Sequence, residues 1–260
     1  MPTALITGAS SGIGAAFAQE LAKRQYDLVL VARSVTKLEE ISQQLQNQHK
    51  VAVEVITQDL AAPNAAKEVF DAVSHKHLII DLLINNAGFG DYGLFSESSR
   101  IRQLEMIQLN VLALVDLTHQ FLPLMKKRGS GSIINVSSLA AFRPLPCLSV
   151  YAATKAFVLS FSESLWAENQ EDGIRVLALC PGRTDTEFFK VAQMPQQFPP
   201  KSTLNSSADV VREALKALEG NRSNLVTGWK NKIKANLSRF LSREAWVKLN
   251  TPKKNISRYK

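Results

Sequence analysis

Residues 4–22 constrain the fold more than any other part of this 260-residue chain. Ala4-Leu5-Ile6-Thr7 is a short apolar run with the composition of a buried strand. It leads directly into Gly8-Ala9-Ser10-Ser11-Gly12-Ile13-Gly14, and the helix-forming stretch Ala15–Ala22 follows. Three glycines at this spacing exceed what a plain strand-to-helix turn needs. Glycine permits a sharp reversal and close approach of backbone to a ligand, while the helix N-terminus offers free N–H groups and the positive end of its dipole. Strand, glycine-rich turn and helix together predict a dinucleotide-binding unit. The spacing is G-x-x-x-G-x-G, not G-x-G-x-x-G.

A second strand, Asp27–Ala32, ends at Arg33 with no acidic residue beside it. In units of this type a carboxylate at that point takes the ribose hydroxyls of NAD, whereas an arginine accommodates a 2′-phosphate. A guanidinium matches a phosphate through paired, charge-assisted hydrogen bonds. The expected cofactor is therefore NADP(H).

Further apolar runs at 51–56, 82–84, 133–136, 176–179 and 225–226 alternate with helical stretches. This pattern predicts an α/β chain: a single-domain Rossmann fold with a doubly wound, mostly parallel sheet and helices on both faces. Neither a repeat nor a low-complexity linker divides it, so one domain is expected over residues 1–228. The two cysteines, Cys147 and Cys180, have no CxxC spacing, and the four histidines give no metal-ligand pattern. The thiols suit a reducing, cytoplasmic setting. No leader peptide and no apolar run of eighteen residues is apparent.

Tyr151 and Lys155 are spaced to share one helix face, with Ser138 thirteen residues before the tyrosine. An ammonium beside a phenol favours the phenolate and is expected to lower its pKa from about 10. A phenol so tuned can exchange a proton near neutral pH.

Thr7–Gly14, Asn85-Asn86-Ala87-Gly88, Asn110, Ser138, Tyr151-x-x-x-Lys155 and Pro181-Gly182 together resemble the short-chain dehydrogenase/reductase family, over about residues 1–226. The resemblance implies reversible hydride transfer between NADP(H) and a carbonyl/alcohol pair. Tyr151 would be the proton donor, with Ser138 on the reacting oxygen. Lys155 would act on the nicotinamide ribose and the phenol, and Asn110 on a water-linked relay at a helix irregularity. The Gly8, Ser11, Gly12, Ile13 and Gly14 turn would hold the diphosphate, with Ser10 and Arg33 at the adenosine phosphate. Asp59 and Leu60 would meet the adenine, while Asn86, Ala87 and Gly88 would run beside the cofactor. Pro181, Gly182, Thr184 and Thr186 would lie at the nicotinamide end. Asp59 also reads as a cap for a helix beginning near Pro63, and Asn86 equally as a bridge between strand ends. Homo-oligomers built through the long helices are common in the family and expected here.

Residues 184–207, with Phe188, Phe189, Val191, Met194 and Phe198, read as a lid over an apolar substrate. Phe89, Tyr92, Phe95 and residues 142–148 are candidates for the opposing wall, and no Arg/Lys cluster stands out in either.

The formal charge of +8 sits at one end: from Trp229 onward there are ten Lys/Arg and one acidic residue. Trp229, Ile233, Leu237, Phe240 and Leu241 recur at helical spacing between basic residues. Two readings of 229–260 stand open: the apolar stripe packs on the domain or a second subunit, or residues 229–249 make peripheral contact with an anionic membrane. Nothing resembles a nucleic-acid reader.

Overall fold

The computed structural model describes residues 1–194, 204–237 and 242–251. Seven strands form one parallel sheet: β1 (Thr3–Thr7), β2 (Asp27–Ala32), β3 (Val53–Thr57), β4 (Leu82–Asn85), β5 (Gly131–Val136), β6 (Ile174–Cys180) and β7 (Asn224–Val226). Their order, β3-β2-β1-β4-β5-β6-β7, reverses direction between β1 and β4. Ligand clefts in such sheets open at the carboxyl ends of the strands flanking this reversal.

Period-two alternation divides the strands between two apolar cores. From β1, Ala4 and Ile6 face α1 (Gly12–Lys23), α2 (Val35–His49) and α8 (Ser207–Glu219), where Phe17, Leu21, Leu38 and Leu215 are buried. Leu5 faces the other way, toward Val69 and Val73 of α3 (Ala65–His75) and Leu117 and Phe121 of α5 (Ala113–Arg128). Both faces are dry, so the strands read as near-continuous apolar runs.

The helical stretch around Asn110 is not one uniform helix. α4 (Arg100–Ile107) and α5 are joined by a π turn, Gln108–Leu112. α6 (Ser149–Glu168) carries Tyr151 and Lys155, and the short α7 (Phe188–Val191) opens the lid segment. The expected lid residues Phe198, Pro199 and Pro200 lie outside the described residues.

Beyond β7, α9 (Trp229–Leu237) and α10 (Arg243–Asn250) return to the body. The face that docks is not the apolar stripe. Ala235 is buried beside Ala178, Cys180 and Val226, and the Asn231 amide donates to the Thr227 carbonyl at 2.9 Å. Trp229 and Ile233 are 68% and 56% exposed. Packing of that stripe on the domain is thus corrected for these two residues: a small residue and an amide fit against the glycine-containing loops, where an indole does not. Phe240 and Leu241 lie outside the described residues. Among the described residues, no helix is long and apolar enough to cross a membrane.

Candidate active site

A cleft of about 1250 Å³ runs along the carboxyl edge of the sheet. One end is walled by Gly8, Ser10, Ser11, Gly12 and Ile13 after β1, by Arg33 after β2, and by Asp59 and Leu60 after β3. The glycine turn has no room for side chains. Gly8 sits at φ +64°, and a Cβ there would come within 2.9 Å of the Ala87 Cα. A Cβ on Gly14 would strike the Gly8 carbonyl and lie 2.7 Å from the Asn86 amide. Ser11 makes no side-chain cap to α1, so the first-turn amides face the cleft without a side-chain partner. This cradle fits a dinucleotide diphosphate. Arg33 and Asp59 approach to 4.0 Å, with the Arg33 side chain 76% exposed.

Asp59 Oδ1 accepts the Ala61 amide at 3.0 Å, which makes a turn rather than a helix cap. The next helix begins at Ala65, behind Asn64. Asn86 fills both roles read for it. Its Nδ2 donates to the Thr7 and Gly8 carbonyls at 2.9 and 3.2 Å, while the residue lines the cleft with Ala87 and Gly88. Its neighbour Asn85, which the sequence reading gave no separate role, donates to Thr118 and Asn135 at 3.0 and 2.9 Å in a fully buried polar chain.

At the other end the expected quartet converges. Tyr151, 8% exposed, and Lys155, 5% exposed, line the cleft one helical turn apart. Ser138 follows β5, accepts the Ala140 amide at 3.1 Å, and is close enough for its hydroxyl to act on the Tyr151 phenol. Its rival Ser137 points inward, donating to the Lys155 carbonyl at 2.7 Å. Asn110 is buried in the π turn. Its Oδ1 accepts the Phe89 amide at 3.1 Å, and its Nδ2 donates to the Phe89 carbonyl at 3.0 Å and to Thr154 Oγ1 at 3.2 Å. Thr154 donates in turn to the Tyr151 carbonyl at 2.8 Å. A Cβ on Gly88 would lie 2.8 Å from Asn110 Oδ1 and 3.4 Å from Lys155 Nζ, so Gly88, Asn110 and Lys155 form one cluster.

The electrostatics correct one expectation. Burial pushes the Tyr151 phenol up to about 12, with Ser138 opposing the rise, and pushes the Lys155 ammonium down to about 8. Lys155 Nζ lies 5.9 Å from the tyrosine ring centre and donates to the Val136 carbonyl at 2.8 Å. In this protein alone, the cost of dehydrating a charge outweighs the attraction between the pair.

Pro181 and Gly182 line the cleft after β6, with Thr184 donating to the Gly182 carbonyl at 3.1 Å. Thr186 crosses to the glycine turn, where a Cβ on Gly12 would meet its methyl group at 2.9 Å. From α7, Phe188 rests on Tyr151 with ring centres 5.1 Å apart. Arg102 holds this helix down, bonding Asp91 at 2.7 Å and the Val191 carbonyl at 2.5 Å.

A family model described as short chain dehydrogenase matches residues 2–197. The chain belongs to that family. Among curated relatives, this short-chain dehydrogenase is 33% identical over 211 residues to the very-long-chain 3-oxoacyl-CoA reductase of Bos taurus, covering 79% of the chain and 66% of the relative. The corresponding Danio rerio reductase-B matches over 64% of its length, so the chain spans slightly less than two thirds of these relatives. Solved structures align more fully. A short-chain dehydrogenase from Sphingobium yanoikuyae in complex with NADPH superposes with TM-score 0.82 at 33% identity, covering 94% of this chain and 97% of that one. The bulky-bulky ketone specific alcohol dehydrogenase of Comamonas testosteroni does so with TM-score 0.79 at 31% identity, covering 92% of each.

Three features of this short-chain dehydrogenase lay beyond the sequence reading. Thr154 carried no signal beyond being a threonine in an apolar helix. Asn231, from α9, presses its amide against Gly182, 49 positions earlier in the chain. Arg102, Arg143 and Arg183 all line the cleft. No arginine cluster was apparent in either wall because these three come from separate segments.

Proposed function

We propose that this protein is an NADP(H)-dependent oxidoreductase that interconverts a ketone and a secondary alcohol on a largely apolar substrate. The observation that carries the reading is the buried junction of Ser138, Tyr151, Lys155 and Asn110 at the switch-point cleft, next to a glycine cradle that fits the cofactor diphosphate. The NADPH complex of the Sphingobium yanoikuyae relative and the ketone substrate of the Comamonas testosteroni relative support it.

When bound, the cofactor supplies or accepts the hydride. The remaining work belongs to side chains. Tyr151 gives its phenolic proton to the substrate oxygen as negative charge develops there. Ser138 donates to the same oxygen, so its hydrogen bond strengthens toward the transition state. Lys155 would hold the nicotinamide ribose and place a positive charge behind the phenol. Asn110, fixed by Phe89 and Thr154, keeps a route open for proton return from solvent. Phe188, Phe89, Leu145 and Leu148 cluster around Tyr151 and exclude water, which favours an apolar substrate.

The assay is NADPH consumption across a panel of ketones and aldehydes, repeated with NADH. Arg33→Ala is expected to raise the KM for NADPH by roughly ten- to a hundredfold, the range for a lost charge-assisted hydrogen bond, and to leave that for NADH nearly unchanged. Equal effects on both cofactors would remove Arg33 from phosphate recognition.

The same reading includes a homo-oligomer. Ile101 and Leu104 of α4, Leu112 at the end of the π turn and Phe157 of α6 are exposed on elements that neighbour one another. Leu104→Glu combined with Phe157→Glu is expected to yield monomers in sedimentation velocity, where the unaltered chain sediments as a dimer or larger. A monomeric unaltered chain would end the idea.

A further inference from the structure

Arg143 lines the cleft with a nitrogen that is buried and unbonded among the described residues. It follows the turn Leu139–Phe142 after Ser138, so it lies on the wall that also carries Leu145, Pro146 and Leu148. Its Nε is buried and makes no hydrogen bond among the described residues, and no carboxylate among them pairs with it. A buried guanidinium N–H without a partner is costly and rare in a folded chain.

Two neighbours make the placement look built for a ligand. Trp246 of α10 lies against the guanidinium, with 5.2 Å from the Arg143 Cζ to the ring centre, which restrains the side chain where it lines the cleft. Arg183, following Pro181-Gly182, brings a second cation to the same end of the cleft and, together with burial, holds the Arg143 pKa below its ordinary value. Arg102, the third arginine there, is committed to Asp91 and the Val191 carbonyl. An anion that enters beside Arg143 would supply the partner its buried nitrogen lacks among the described residues.

We infer that Arg143, oriented by Trp246 and joined by Arg183, forms an anion subsite at the substrate end of the cleft, which selects carbonyl compounds carrying a carboxylate or phosphate on an apolar chain. The inference rests on the proposed oxidoreductase reading for the carbonyl end and adds the far end. Arg143 is five positions after Ser138, so their Cα atoms are at most about 18 Å apart. One extended molecule can therefore reach both the reacting oxygen and the anion subsite, with its middle along Leu145 and Leu148 and its two ends polar. An aliphatic chain with an acidic terminus meets that description, and a neutral ketone meets only half of it.

The test is calorimetric titration of the NADPH-loaded protein with octanoate, octyl phosphate and methyl octanoate. For the unaltered chain at least one of the two anions is expected to bind about tenfold or more tightly than the neutral ester, the factor for one charge-assisted hydrogen bond. Arg143→Met keeps the aliphatic stem over Trp246 and is expected to erase the preference by weakening the anions while leaving the ester unchanged. Arg143→Lys keeps the charge and should restore part of it. Octyl phosphate ahead of octanoate would assign the subsite to phosphorylated carriers, and the reverse order to free acids. An ester that binds as tightly as both anions, or a preference that survives in Arg143→Met, overturns the subsite. Because binding is read without turnover, such a failure stays separate from the oxidoreductase reading, which the ketone panel decides.

Discussion

Tyr151→Phe is expected to lower kcat by on the order of a thousandfold, within the range for losing a positioned general acid. The fold should tolerate the change. The hydroxyl removed acts on Ser138, whose own oxygen keeps the Ala140 amide, and the ring keeps its contact with Phe188 and Lys155. NADPH binding, measured by fluorescence titration, should stay within about threefold of the unaltered chain, since the loss belongs to the transition state alone. The burial that pushes the phenol up to about 12 keeps it protonated and ready to donate throughout the neutral range. A phenylalanine variant that retains a tenth of the original turnover would mean that another group delivers the proton.

Lys155→Met is expected to do two things in opposite directions: to cut turnover by a hundredfold or more, on the general acid–base scale, and to raise Tm in the absence of cofactor. The lysine is buried with its pKa lowered to about 8 against an ordinary 10.5. Between those values the unfolded chain keeps this lysine's proton while the folded one releases it, so the Lys155 contribution to stability rises with pH from about 8 to about 10.5. Below pH 8 the cost of the buried charge is fully present, on the order of 3 kcal/mol. Methionine removes that cost and leaves the Val136 carbonyl without its donor, worth about 1 kcal/mol. The net gain corresponds to a rise of roughly four to eight degrees for a chain of this size. Tyr151 and Cys180, both pushed up to about 12 from 10.0 and 9.0, cost stability as pH rises through those ranges, but they do so in wild type and variant alike and cancel in the comparison. Thermal melts at pH 7 and pH 10 therefore discriminate: the advantage of methionine should shrink as pH rises. A variant less stable than wild type at pH 7 would show that Lys155 is supported by more than its carbonyl.

The parallel sheet was legible because each strand is buried on both faces and so announces itself as an apolar run between glycine or polar breaks. The glycine cradle was legible for a related reason: steric exclusion leaves a mark in composition, as Gly8 and Gly14 show. Ser138, Tyr151 and Lys155 were legible through the family's spacing, and Ser137 was separable from Ser138 only by that spacing. Charge energetics were not legible. The sequence shows an ammonium one turn from a phenol but not how little water reaches either, and burial reverses the expected direction for Tyr151. The Arg143–Trp246 contact also escaped, since it joins residues more than a hundred positions apart with no periodicity to connect them. The tail misled in the same way: helical spacing of large apolar residues marks a face, but Ala235 on β6 and β7 and Asn231 on the adjoining loops show that the smaller face is the one that docks.

The π turn at Gln108–Leu112 amounts to an ordinary helix with one residue more than its winding can hold. Deleting one of the other positions around Asn110 would restore ordinary winding through the junction of α4 and α5, with the phase changed by about a hundred degrees on one side of the cut. Asn110 would then leave Phe89 and Thr154, and the apolar residues of α4 would no longer line up with those of α5. The local defect thus sets the rotational register of two helices at once, so the inner amide and the outer apolar surface are inherited together or lost together.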